Sequence, residues 1–217
     1  MKFIKYILAP FIMASLLTSA VVAPSQAADP PKVMIVGDSM TSLYNDVPGS
    51  SKQGWWSMVA RAKGWTPVTD AEYGSGFLRK GFGSTDGSGS ACTGTVLKNR
   101  IAKIAQEDPD YLIIAAGRND LKKCVNGVPA AATTTESVNA AKSYFAALKT
   151  EITNAGIPAS RVYVMVPWAY SQTQESTVLR PKIRDAAKAA DEQFKEAKAA
   201  YDMLSAAQTR AAYDQYG

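Results

Sequence analysis

Four short apolar runs, at residues 33–36, 67–71, 111–115 and 162–166, are separated by stretches in which apolar side chains recur with helical spacing. That alternation constrains the chain more than any other feature, because short buried strands interleaved with helices argue for a parallel sheet joined by helical crossovers. Val96, Leu97, Ile101 and Ile104 keep a helical spacing in one connection, and Val138, Ala141, Phe145, Leu148 and Ile152 keep it in another. A shorter helix is expected over residues 55–62, and Asp108-Pro109-Asp110 and Gly156-Ile157-Pro158 carry the stop signals of two helices. The expected fold is a three-layer α/β/α sandwich with a ligand site outside the carboxyl ends of its strands.

Each of the first three strands runs into a polar turn. Gly37-Asp38-Ser39-Met40 follows the first, Tyr73-Gly74-Ser75-Gly76-Phe77 the second and Gly117-Arg118-Asn119-Asp120 the third. A serine at the tip of a sharp turn after a strand is how a nucleophile is presented above a parallel sheet, although Gly-Asp-Ser is also ordinary turn chemistry. Together, over about residues 32–170, the three turns resemble those of the SGNH (GDSL-type) hydrolases, which implies a parallel, flavodoxin-like sheet and ester cleavage. The resemblance matches Ser39 with the nucleophile, Gly74 with the glycine that lends a backbone N–H to the oxyanion hole, and Asn119 with the asparagine that completes it. Gly76 is the rival for the glycine's place. The substrates so implied are esters of envelope carbohydrates or lipids.

The family's last block, Asp-x-x-His, has no counterpart, since the chain contains no histidine. A serine hydroxyl is a poor nucleophile until a base takes its proton, so the chain as it stands is expected to be an impaired hydrolase. Lys122 and Lys123 follow Asn119 closely and a desolvated lysine can act as a base, but lysines capping a surface loop are commoner. Asp38 and Asp120 are feeble bases at an ordinary pKa and are expected to fix loop geometry. The competing reading is a non-catalytic module that binds an acylated glycan and docks a protein partner through a C-terminal helix. Trp168 and Tyr170, just past the fourth strand, are candidates to stack on a sugar ring or acyl chain, or else pack under a loop. No cofactor is expected, and no metal, because only carboxylates remain as ligands once the cysteines pair.

Lys2 and Lys5, an apolar stretch over residues 6–23 and Ser25-Gln26-Ala27 read as a signal peptide over residues 1–27, with a retained anchor as the alternative. The remainder, residues 28–217, is expected to be one domain, exported to the cell envelope or beyond and without a transmembrane segment. Loss of the two lysines lowers the formal charge from +5 to about +3, too mild for nucleic-acid binding, and no basic stripe interleaved with aromatics supports it. In an oxidising compartment Cys92 and Cys124, both on loops at one edge of the sheet, are expected to pair and to brace the loops bearing Gly74 and Asn119; two free thiols are the alternative. The glycine- and serine-rich loop over residues 74–94 lacks a phosphate-binding signature and is expected to be a flexible rim.

Ile183, Ala187, Ala190, Phe194, Ala197, Tyr201, Leu204, Gln208 and Ala211 form a seven-residue repeat that predicts one long helix over residues 176–213. The resembled family would have a shorter helix there, followed by a fifth strand, which this chain is expected to lack. The alanine-rich stripe needs either a close partner helix or the chain's own sheet beneath it.

Overall fold

The computed structural model describes residues 28–165 and 174–196. The signal-peptide segment, Trp168, Tyr170 and the C-terminal end of the expected helix lie outside those residues. The apolar runs become β1 (Lys32–Gly37), β2 (Thr66–Ala71), β3 (Tyr111–Ala115) and, as far as it is described, β6 (Val162–Met165). Between β1 and β2 lie α1 (Ser39–Ser42) and α2 (Trp55–Lys63), and before β3 a 3₁₀ turn (Leu97–Arg100) and α3 (Lys103–Glu107). β4 (Lys122–Val125) and β5 (Val128–Ala131) form a small antiparallel hairpin ahead of α4 (Thr134–Asn154).

The main sheet runs β2-β1-β3-β6 and adds a short fifth strand, β7 (Lys195–Glu196), with every pairing parallel. With the hairpin set aside, this is the 2-1-3-4-5 order of flavodoxin-like sheets, in which the β1/β3 boundary is the topological switch point. Both faces of β1 are buried, as a parallel sheet covered on two sides requires. Met34 and Val36 face a cluster with Leu112, Ile114, Tyr144, Phe145, Leu148 and Ile183, whereas Val33 and Ile35 face Trp55, Trp56, Val59, Ile113 and Ala115. The result is a three-layer α/β/α sandwich, with α4 packed on one side and α2 on the other.

α4 starts where its cap allows. Thr133 Oγ1 accepts the Glu136 N–H at 3.2 Å while the Glu136 carboxylate accepts the Thr133 N–H at 2.9 Å, a reciprocal capping box. The helical pattern through Val96 and Ile104 is realised only in two short pieces, and the hairpin was not expected. Its signal was present, since Asn126 and Gly127 adopt φ of 51° and 79°, the paired positive values that favour Asn-Gly in two-residue hairpin turns.

The long helix expected over residues 176–213 is corrected by the structure. α5 (Gln174–Ala190) ends at Ala190, a turn follows through Gln193, and β7 then joins β6 as the fifth strand the chain was expected to lack. Ile183, Ala186 and Ala187 are buried in the main cluster, so the small-residue stripe finds the chain's own core. Phe194 reaches that core from outside the helix, its ring 6.4 Å from that of Phe145.

Candidate active site

The three polar turns meet at the β1/β3 switch point because β1 is in register with both neighbours, Gly37 standing opposite Ala71 and Ala115. Ser39 opens α1, whose N-cap is Asp38 with its Oδ1 accepting the Met40 N–H at 2.9 Å. Gly37 has to be glycine, since a Cβ there would lie 2.9 Å from Thr41 Cβ and 3.3 Å from the Ala115 carbonyl oxygen. The end of this one-turn helix would leave carbonyls bare. Two indoles cover them: Trp55 Nε1 donates to Met40 O at 3.0 Å and Trp56 Nε1 to Thr41 O at 3.2 Å. Ser39 itself is half-buried, and among the described residues its hydroxyl has no hydrogen-bond partner.

In the second turn the Tyr73 N–H donates to Ser84 O and the Ser75 N–H to Glu72 O, while the Gly74 N–H between them has no acceptor among the described residues. Gly74 is at φ +71°, and a Cβ would come within 2.6 Å of the Phe82 ring. The Gly76 N–H, by contrast, donates to Arg79 O at 2.9 Å. That spends the donor that would make Gly76 a rival. Gly76 is glycine for another reason, because a Cβ would press into the Asp120 carboxylate.

Asn119 joins all three turns. Its Nδ2 donates to Ser75 O at 2.9 Å and lies 3.3 Å from Asp38 Oδ2, while its Oδ1 faces Arg79 Nη1 at 3.4 Å. A guanidinium can only donate, so the Arg79 contact fixes which end of the amide is oxygen. Asp120 is buried and accepts three successive backbone N–H groups, from Phe77 (2.9 Å), Leu78 (2.8 Å) and Arg79 (3.1 Å). Burial pushes its carboxyl above the usual range, and those donors and Arg79 oppose the rise. Ser137 on α4 donates to the Asp120 carbonyl, so the asparagine's neighbour is held from both sides.

Burial pushes the Asp38 carboxyl up to about 6 from 3.8, with the Met40 N–H and the Arg118 and Arg100 charges acting against it and Asp120 adding to it. The folded state therefore holds a proton between about pH 4 and 6 that the unfolded chain has released. The stability linked to Asp38 is complete below about pH 4 and lost as pH rises through about 6, by about 3 kcal/mol in full. Asp38→Asn keeps a capping oxygen and is expected to flatten that part of the profile, as denaturant melts at pH 4, 5, 6 and 7 would show. Parallel profiles for parent and variant would assign the pH dependence elsewhere.

Neither lysine near Asn119 is poised as a base. Lys123 Nζ is paired with Glu136, and Lys122 is exposed. The Cys92–Cys124 disulfide is present, with Cα atoms 5.7 Å apart, and links the glycine-rich loop to the hairpin beyond Asn119. That loop is not the slack rim expected from its composition. It wraps the Glu72 carboxylate, which accepts from Gly83 N at 2.9 Å, Thr95 N at 3.0 Å and Thr95 Oγ1. A Cβ at Gly81 or Gly94 would drive into that carboxylate. Among the described residues no group of cysteines and carboxylates is placed to hold a metal ion. Sequence reasoning also missed Arg100, a buried cation beneath the turns, since periodicity counts only its apolar neighbours Leu97 and Ile101.

Comparison with known families matches residues 35–216 to the GDSL-like lipase/acylhydrolase family. The chain belongs to that family. Two solved structures of similar fold are TesA (TM-score 0.46, 15% identity, 75% of this chain and 78% of that one) and a carbohydrate esterase described as having divergent catalytic and non-catalytic binding functions at its active site (0.46, 14%, 76% and 57%). A separate likeness covers 33 residues, 15% of this GDSL-like chain, which are 76% identical to chaperone protein DnaJ of Methylibium petroleiphilum and 73% identical to that of Leptothrix cholodnii. The chain spans 9% of the length of these curated relatives.

Proposed function

We propose that this GDSL-like chain is an exported serine ester hydrolase, acting on acyl esters of envelope carbohydrates or lipids and slow as it stands. In this reading Ser39 Oγ bonds to the acyl carbon, and the carbonyl oxygen takes up negative charge between the Gly74 N–H and Asn119 Nδ2. Collapse expels the alcohol, and water then releases the acyl group from Ser39. Preorganised donors of this kind contribute most to acyl transfer. The observation that carries the reading is the Asn119 amide, anchored on Ser75 O beside a Gly74 N–H with no acceptor among the described residues. Its second hydrogen faces Asp38 Oδ2 across a long 3.3 Å contact, which a developing oxyanion outcompetes.

The proton of Ser39 is the weak point. The 217 residues include no histidine, so the proton leaves to solvent or to a base from outside. The basic and apolar N-terminal segment and the disulfide support export, and no helix among the described residues is long and apolar enough to cross a membrane.

The test is hydrolysis of an activated aryl acetate with and without about 0.1 M imidazole. Above the rate of imidazole alone, turnover well below about 1 s⁻¹ is expected without imidazole, rising with imidazole in the parent but not in Ser39→Ala. Equal rates for the two proteins under both conditions would remove the hydrolase reading.

A further inference from the structure

The nucleophile and the two oxyanion donors sit on three loops, and acyl transfer tolerates little error in their spacing. β1 and β3 are locked by their ladder up to Gly37 and Ala115. The turn carrying Gly74 is not. Past Ala71 its only backbone bond to β1 is a long one, Glu72 N to Gly37 O at 3.3 Å.

Two side chains close that gap. Ser75, wholly buried, has its hydroxyl 3.0 Å from Glu72 O and 3.4 Å from Gly37 O, while its carbonyl holds Asn119 Nδ2. Arg100 Nη2 donates to Gly37 O and to Ser75 Oγ, each at 3.0 Å, and Nη1 donates to Asp70 O at 2.8 Å. One guanidinium thus ties the end of β1, the end of β2 and the Gly74 turn together, and through Ser75 it reaches Asn119.

Arg100 is 5% exposed, and burying a cation costs more than a poor ion pair returns. Its carboxylate partner, Asp70 Oδ1, is 3.6 Å away and lies nearer to Lys103 Nζ, at 2.8 Å. The ion pair does not account for an arginine here. The bridging does, because a rigid planar fork reaches three acceptors that a lysine's single ammonium cannot.

We propose that Arg100 and Ser75 form a positioning pair that sets the spacing between Ser39, the Gly74 N–H and Asn119. The inference rests on the hydrolase reading of those three residues. Its test is the kinetics of Ser39-dependent aryl acetate hydrolysis in imidazole, with parent and Ser39→Ala compared first. Contacts made only in the transition state lower kcat and leave KM alone when they are misplaced.

Ser75→Ala, which removes one oxygen and keeps the anchoring carbonyl, is expected to lower kcat about 10-fold with KM within about twofold. Arg100→Lys is expected to lower it about 100-fold, and the double variant to be no slower than Arg100→Lys alone. If Arg100→Lys does not fold, Ser75→Ala decides by itself. Parental kcat in Ser75→Ala, or a change confined to KM, overturns the positioning pair while leaving the hydrolase reading intact. Equal rates in the parent and Ser39→Ala overturn both.

Discussion

Asp120→Ala is expected to destabilise the protein by about 3–5 kcal/mol. The carboxylate it removes is buried and receives the N–H groups of Phe77, Leu78 and Arg79. Each buried donor left without a partner costs about 1–3 kcal/mol, partly offset by no longer burying a charge. Asp120→Asn keeps one acceptor oxygen and should lose about half as much. Denaturant midpoints for the three proteins check the order, and a loss under about 1 kcal/mol in Asp120→Ala would show that the turn does not depend on this carboxylate.

Gly94→Ala should be as damaging for a different reason. A Cβ there would lie 2.7 Å from Glu72 Cδ and closer still to Oε1 and to the Gly83 nitrogen. Relief requires the carboxylate to leave the Gly83 and Thr95 N–H groups, so the clash becomes a loss of buried hydrogen bonds, about 3–5 kcal/mol in all. Gly64→Ala is the control. Gly64 has φ +66° and open space around it, so only backbone strain of about 1 kcal/mol is expected. Similar losses at the two positions would mean that the Glu72 cage contributes nothing. In a Glu72→Ala background the Gly94→Ala penalty should shrink, which a double-mutant cycle measures.

What could be read from sequence divides along physical lines. β1, β3 and α4 were legible because burial on both faces of a parallel strand, and on one stripe of a helix, writes its own period into the chain. The convergence of the Ser39, Gly74 and Asn119 turns followed from topology, since all three leave the carboxyl ends of neighbouring strands. The stopping point of α5 was not legible. A small-residue repeat looks the same whether it faces a partner or its own sheet, and no glycine or proline marks the turn at residues 191–193. Asp120 was read as a residue that fixes loop geometry, and it does so through Phe77, Leu78 and Arg79, whereas Glu72 and Arg100 were invisible for a deeper reason. A buried charge is justified by partners distant in the chain, and composition registers only that the residue is charged.

The two layers flanking the sheet are unequal, and Ser39 stands on the thinner one. α2 covers its face with Trp55, Trp56, Val59 and Ala60, whereas α4 and α5 bury a far larger set on the other. Native proteins open in pieces, and pieces with little buried apolar surface open at the lowest free energy. α1 and α2 are therefore expected to open as one unit before the α4 layer loosens, held to each other by the two indoles of α2 that cap α1. Amide exchange is expected to begin in the layer that carries the serine and to reach the α4 layer later.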